Sequence, residues 1–234
     1  LLTFDAVTTY ADRHWDEYAK RCVDTFARHW KDIPLQAFTD DRLEQSSEWL
    51  AEFKQRHRHR STDNYRFDAV RFAHKVAALE LAFRIGTGDA LVWIDADCVT
   101  HADVDAGWLS GLLGDGDFGY LKRAGKYPEC GFMLFRRNKA TAEMLRRLVY
   151  LYRSDDLFQL DEWHDSWAIE QVRIGMGNGL KCISLSGGFE ATGHPFVNGP
   201  LGARLDHCKG RRKQQGKSKA SDLKTARTEG YWIG

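Results

Sequence analysis

The 234-residue sequence is short of proline, with four, and none of its apolar runs approaches the roughly 20 residues that a helix needs to cross a bilayer. A helical membrane protein and a proline-rich extended one are both excluded. Charge imbalance is missing too: 34 Lys and Arg stand against 33 Asp and Glu, so any basic surface has to be local. The five cysteines (Cys22, Cys98, Cys130, Cys182, Cys208) are odd in number, scattered and without a C-x-x-C pair. That spacing excludes a zinc ribbon and leads us to expect reduced thiols and a cytoplasmic protein. The opening segment LLTFDAVTTYADRHW lacks a basic region, an apolar core and a small-residue cleavage site, so it is not read as a signal peptide. Internal repeats and long linkers are lacking, and one domain over residues 1–234 is expected. What the chain does have is 43% hydrophobic and 12% aromatic residues, enough for a sizeable core.

The pattern alternates between strand and helix. LTFDAVTTY reads as a strand, and DRHWDEYAKRCVDTFARHW as a helix with Trp15, Tyr18, Cys22, Phe26 and Trp30 at helical spacing. IPLQAFTDD is a second strand and LEQSSEWLAEFKQRH a second helix. STDNYRFDAVRFAHKVAALELAF is a third, with Asp63 as N-cap and Gly86 or Gly88 as stop. ALVWI follows as a strand. This β-α-β-α-α-β order predicts an α/β fold with a parallel sheet flanked by helices. Later, DFGYLK and CGFMLF read as short strands, NKATAEMLRRLVYLY and LFQLDEWHDSWAIEQVR as helices, and LKCISL as a last strand.

The strand ALVWI runs straight into Asp95-Ala96-Asp97. A continuous apolar strand is buried on both faces of a parallel sheet, and ligands bind beyond the carboxyl ends of such strands. In an extended chain, positions i and i+2 point the same way, so both carboxylates would face one spot. Their repulsion is relieved by a divalent cation, and oxygen ligands suit Mg²⁺ or Mn²⁺, which also bridge phosphates. The plainer alternative is that the two aspartates cap a loop or the next helix.

Two enzyme classes carry D-x-D at a strand end. DADCV fits the D-x-D-x-V string of haloacid-dehalogenase phosphatases, where the motif follows the first strand. Here two strand–helix units come first, and the sequence instead resembles the GT-A glycosyltransferases. The segment LDHCKGRRKQQGKSK adds His207-x-x-Gly210-x-x-Lys213, similar to the H-x-x-G-x-x-K of the retaining galactosyltransferase and glycogenin family. Gln214 and Gln215 stand where that motif continues with Pro-Trp. The segments DNYRFDAVRFAHKVAAL, CGFMLF, EWHDSWAIEQ and HPFVNGPLGARLDHCKGRRKQQGKS resemble glycosyltransferases of tailed phages and environmental viruses.

The resemblance implies a single GT-A, Rossmann-like domain with a mixed, mostly parallel central sheet flanked by helices. Residues 1–100 would form its nucleotide-binding half, ending in D-x-D, and 101–234 its acceptor-side half. It implies a nucleoside-diphosphate sugar as donor and Mn²⁺ or Mg²⁺ held by Asp95, Asp97 and His207. Gly210 and Lys213 would meet the diphosphate, and the sugar would be transferred with retention. His194, in GHPFVNG, is a rival ligand or a plain loop histidine. Thr8, Thr9 and Tyr10 end the first strand, where base and ribose would sit; Tyr10 offers a ring to stack on. Arg71 and Lys75 share a helix face and are candidate donor contacts, or an ion-pair stripe with Asp68. Asp165, beside His164 in EWHDSWAIEQ, is the candidate for the group next to the reacting sugar carbon, or else a helix cap. Glu129 is a further candidate on the acceptor side.

Two basic runs remain, KQRHRHR (54–60) and KGRRKQQGKSK (209–219). Arg211, Arg212, Lys217 and Lys219 exceed what one diphosphate needs. A nucleic-acid acceptor would use them, and the viral resemblance makes hydroxymethylated DNA a candidate acceptor. A saccharide or protein acceptor, a solvated loop, and a non-catalytic nucleic-acid-binding module on the same fold are the alternatives.

Overall fold

The computed structural model describes residues 1–60, 62–191, 194–224, 227 and 231. Its strands are β1 (Phe4–Tyr10), β2 (Leu35–Thr39), β3 (Ala90–Ile94), β4 (Cys98–Thr100), β5 (Phe118–Arg123), β6 (Lys126–Arg136), β7 (Cys182–Ser184) and β8 (Leu205–His207). The helices are α1 (Lys20–His29), α2 (Asp40–Ser46), α3 (Glu48–His57), α4 (Ala69–Ile85), α5 (Ala106–Leu113), α6 (Lys139–Arg153), α7 (Asp165–Met176), α8 (Pro195–Asn198) and α9 (Arg212–Gln215). The central sheet has the order β2-β1-β3-β6-β5-β7. Only β6 runs against the others, so the sheet is mixed and mostly parallel, as expected. A separate antiparallel pair, β4 with β8, sets Cys98 opposite His207.

Apolar side chains fill both faces of the sheet. Phe53, Leu79, Trp93, Met133, Leu148 and Tyr152 pack under α3, α4, α6 and α7. Phe26, Ile94, Phe132, Leu134 and Leu205 pack on the other face. Each such side chain, fully buried, contributes about 1.5–3 kcal/mol. Helix α4 lies on β1 and α6, and its alanines 73, 77, 78 and 82 are buried without remainder, which lets it approach closely. At the N-terminal end of the strands, Asp5 forms an ion pair with Arg137 Nη1 at 2.6 Å and accepts from Gly88 N at 2.9 Å. The Arg137 guanidinium also reaches the carbonyls of Ala82, Phe83 and Gly88, tying the end of α4 to the sheet.

Several boundaries differ from the sequence reading. The third helix starts at Ala69, not in the STDN stretch; Asp68, not Asp63, is its N-cap, accepting from Arg71 N at 3.4 Å. Ser61 lies outside the described residues. The side chains of Thr62 and Asn64 bond neighbouring backbone instead, accepting from Asn64 N and Arg66 N. The second helix is broken at Ser47, whose backbone is extended, into α2 and α3. The first helix opens as a tight turn (Asp12–His14) and one wide turn (Trp15–Ala19) before α1. Helix α5 was missed, although Asp105 caps it. Of LFQLDEWHDSWAIEQVR only Asp165 onward joins α7; the front is a short turn (Asp156–Gln159) and loop. LKCISL is not the last strand, because β8 follows.

Candidate active site

The carboxyl ends of β1 and β3 open on a cleft of about 910 Å³, whose lining includes Tyr10, Tyr18, Arg71, Lys75, Asp97 and Lys213. Asp95 and Asp97 are not held extended. Asp95–Cys98 form a turn closed by Cys98 N on Asp95 O at 2.9 Å. The turn still brings both carboxylates to one atom: His207 Nε2 is 2.9 Å from Asp97 Oδ1 and 3.5 Å from Asp95 Oδ2. What supplies the histidine is the β4–β8 pairing, reinforced by Cys208 N on Asp97 O at 2.9 Å.

Around this point the chain buries a group of alternating charges. Lys75, buried on α4, donates to Cys130 O at 3.0 Å and to Asp165 Oδ2, and forms an ion pair with Asp95 Oδ1 at 2.7 Å. Trp93 Nε1 adds a 2.8 Å bond to Asp95 Oδ1. Lys213 Nζ stands 3.1 Å from Asp97 Oδ2 and 4.2 Å from the centre of the Tyr18 ring. Arg21 holds α9 in place through the carbonyls of Lys213 and Gln214, at 2.7 and 3.2 Å. Glu129 accepts from His207 Nδ1 at 2.9 Å and from Lys209 at 3.0 Å.

For Asp97, Glu129, Asp165, His207 and Lys75, burial opposes the charge and the neighbours overrule it. Burial alone would raise Asp97, yet His207 and Lys213 hold it well below the usual carboxylate range. Glu129 is held down by His207 and Lys209, and Asp165 by Lys75, against the same burial. Burial would lower the His207 imidazole, but Asp97 and Glu129 push it up to about 9. Lys75 is raised, since Asp165 and Asp95 outweigh its burial.

The donor atoms fit a hard divalent cation. Asp95 and Asp97 supply carboxylates and His207 an imidazole, a set suited to Mn²⁺ or Mg²⁺. Cys98 lies near as well: one ligand atom each from Asp97, Cys98 and His207 fall within 4.8 Å of one another. Its thiol is buried, points to Gly131 O at 3.6 Å and is pushed well above its ordinary value, chiefly by burial, so it keeps its proton.

The other candidates are dispersed. Thr8 is fully buried and its hydroxyl has no partner among the described residues, so it faces the interior. Thr9 lines the cleft but gives its hydroxyl to Phe38 O at 3.0 Å. Tyr10 lines it too, 5.3 Å from the Trp15 ring. His164 is buried as the cap of α7, accepting from Trp167 N at 3.3 Å, with Glu162 at 2.8 Å on its other nitrogen. Asp165 is not the cap; it opens the helix and is tied to Lys75. Glu129 sits behind His207. Gly210 takes a left-handed φ of 59°, in an exposed turn. His194 stands 4.0 Å from Asp222, away from the Asp95–Asp97–His207 group. Arg212 is paired with Asp222 at 3.2 Å, Arg211 and Lys219 are exposed, and Lys217 is half-buried.

Sequence reasoning missed Tyr18, Trp93, Arg21 and Gly131. Tyr18 was counted into an apolar helical stripe, and the wide turn at Trp15–Ala19 leaves it lining the cleft. A Cβ on Gly131 would overlap the His207 ring. A glycine inside an otherwise apolar strand was the available signal for such a close approach.

Neither a protein-family model nor a curated protein matches this sequence. Among solved structures, it is similar to a glycosyltransferase involved in the glycosylation of the major capsid of PBCV-1. Identity there is 11% and the TM-score 0.53, over 92% of this chain and 97% of that one. GlyE, a glycosyltransferase of Streptococcus pneumoniae TIGR4, matches at 13% identity and a TM-score of 0.48, over 79% of this chain and 46% of its own. The bifunctional glycosyltransferase WbbM matches at 14% and 0.47, over 89% and 46%. The chain thus spans less than half the length of these last two. The likeness to the capsid glycosyltransferase covers nearly all of both chains, and what it establishes is a shared α/β glycosyltransferase fold.

Proposed function

On that fold, we propose that the chain is a glycosyltransferase that moves a sugar from a nucleoside-diphosphate sugar to a hydroxyl acceptor. The observation that carries this reading is the convergence of Asp95, Asp97 and His207 in the cleft beyond β1 and β3. Mn²⁺ or Mg²⁺, held by these three, would neutralise charge on the diphosphate. Lys213 supplies a second positive charge at the same place, poised on the Tyr18 face, for the departing diphosphate. Tyr10 and Tyr18 offer aromatic surface for the base. Lys75 holds Asp95 and Asp165 together and so positions the carboxylates rather than binding donor itself. Retention of configuration and Asp165 as the group beside the reacting carbon rest on the H-x-x-G-x-x-K likeness.

The acceptor is proposed no finer than a hydroxyl compound. Of the four basic residues in excess of what a diphosphate needs, Arg212 is paired with Asp222 of the chain itself, while Arg211 and Lys219 are exposed. That arrangement does not single out a DNA acceptor. No helix among the described residues is long and apolar enough to cross a membrane.

The test is a thermal-shift panel of nucleoside-diphosphate sugars with and without Mn²⁺. Binding to the folded state raises the melting temperature by mass action. A shift that needs both one donor and the metal, and is lost in Asp97→Asn, supports the reading. No shift with any donor sinks it. Turnover would then be screened with saccharides, peptides and hydroxymethylated DNA, the last also for salt-sensitive binding.

A further inference from the structure

We infer that Glu129 is a positioning residue that fixes which nitrogen of His207 faces the cleft, and that the segment Glu129-Cys130-Gly131 is a built part of the metal site. This rests on the metal reading proposed above. The sequence placed Glu129 on the acceptor side; in the fold it is buried 2.9 Å from His207 Nδ1, on the side of the ring away from Asp97. A neutral imidazole that donates Nδ1–H to a carboxylate keeps its lone pair on Nε2, and Nε2 is the atom facing Asp95 and Asp97, where a metal would take the place of the proton.

The strand is shaped for this. Between β5 and β6 the register shifts from Tyr120↔Met133 to Leu121↔Glu129, so residues 130–132 bulge from the β5 ladder while Phe132 stays paired with Ile94 of β3. The carbonyl of Gly131 accepts from Asp95 N at 2.9 Å, one step further along the β3–β6 pairing, and the carbonyl of Cys130 accepts from Lys75. Gly131 carries no Cβ at the point where one would overlap the His207 ring. One irregular stretch therefore steadies the first aspartate, makes room for the histidine and orients it. Lys209, 3.0 Å from the same Glu129 oxygen, keeps that carboxylate charged and aimed at the ring.

The test is Mn²⁺ affinity without donor, measured by the electron-spin-resonance signal of free Mn²⁺, on wild type, Glu129→Gln, Glu129→Ala and Asp97→Asn. Glutamine keeps an acceptor for Nδ1–H and should stay within a few-fold of wild type. Alanine removes it and should weaken binding by roughly 10- to 100-fold, the usual cost of losing such a partner. If alanine does not fold, Glu129→Leu takes its place. Affinity of the alanine or leucine variant within two-fold of wild type overturns the inference alone, provided Asp97→Asn has lost binding. Equal losses for glutamine and alanine also overturn it, since charge and not orientation would then matter. Wild type that binds no Mn²⁺, or that binds it as well as Asp97→Asn does, overturns the metal reading and the inference with it.

Discussion

At the N-terminal end of the strands, one buried carboxylate, Asp5, meets one guanidinium, Arg137, whose remaining hydrogens go to backbone carbonyls. At the C-terminal end of the same strands, four carboxylates (Asp95, Asp97, Glu129, Asp165) crowd against Lys75, His207, Lys209 and Lys213. Both ends bury charge. The first pairs it one to one and faces the end of α4, so it works as a clasp. The second gathers like charges from β6, α7 and the turn after β3, and opens on a cleft. Evenly matched and enclosed charge holds a fold; crowded charge at a cleft is held by the fold for chemistry.

The largest expected effect would come from Lys75→Met, because it leaves the buried Asp165 and the half-buried Asp95 without their cation. Removing one partner of a buried ion pair typically costs about 3–5 kcal/mol. Chemical denaturation should show a loss of that order, together with lost turnover, and adding Asp165→Asn should recover part of the stability but not the activity. Arg137→Met should cost a similar amount by the same argument, yet leave the Mn²⁺ affinity of the folded fraction unchanged. If metal binding fell as well, the two ends would not be independent. Asp97→Asn is expected to differ in kind: it removes the carboxylate paired with His207 and Lys213, so the metal-free protein should lose stability, and the metal-dependent shift should be lost as well.

The two ends should also part in their pH dependence. His207 is raised to about 9 in the folded protein, from an ordinary value of about 6.5 in the unfolded chain. A group raised on folding stabilises fully below its unfolded pKa and loses that contribution as pH climbs through the folded one. The metal-free protein should therefore lose stability between about pH 6.5 and pH 9. Mn²⁺, which competes with the proton on the same imidazole, should bind more tightly across that window. A melting temperature flat over this range would show that His207 is not held between charged carboxylates. The smallest effect is expected for Arg211→Ala with Lys219→Ala: both side chains are exposed, and stability should stay within about 0.5 kcal/mol of wild type. A large loss of DNA affinity in that variant would restore the nucleic-acid acceptor to first place.

Much of this was readable along the chain, and the failures have identifiable causes. Apolar runs located β1, β2 and β3, and the fold class came from their order. Helix ends went wrong where polar side chains compete for the backbone, as at Thr62 and Asn64, because a cap is chosen by local hydrogen bonds rather than by composition. The strand Glu129-Cys130-Gly131 looked like the edge of a short strand; its bulge depends on what packs opposite. The basic run 209–219 read as surplus charge, and its carboxylate partners lie elsewhere in the sequence.

By itself, then, the sequence determined the alternation of strands and helices, and that two aspartates end a buried strand, since both are properties of neighbours along the chain. Only the tertiary structure decided that His207 stands between Asp97 and Glu129, that Lys75 is paired with two carboxylates, and that Lys213 turns toward Asp97. Those contacts form between segments far apart in the chain, and their geometry is set by strand pairing and close packing that no single segment specifies.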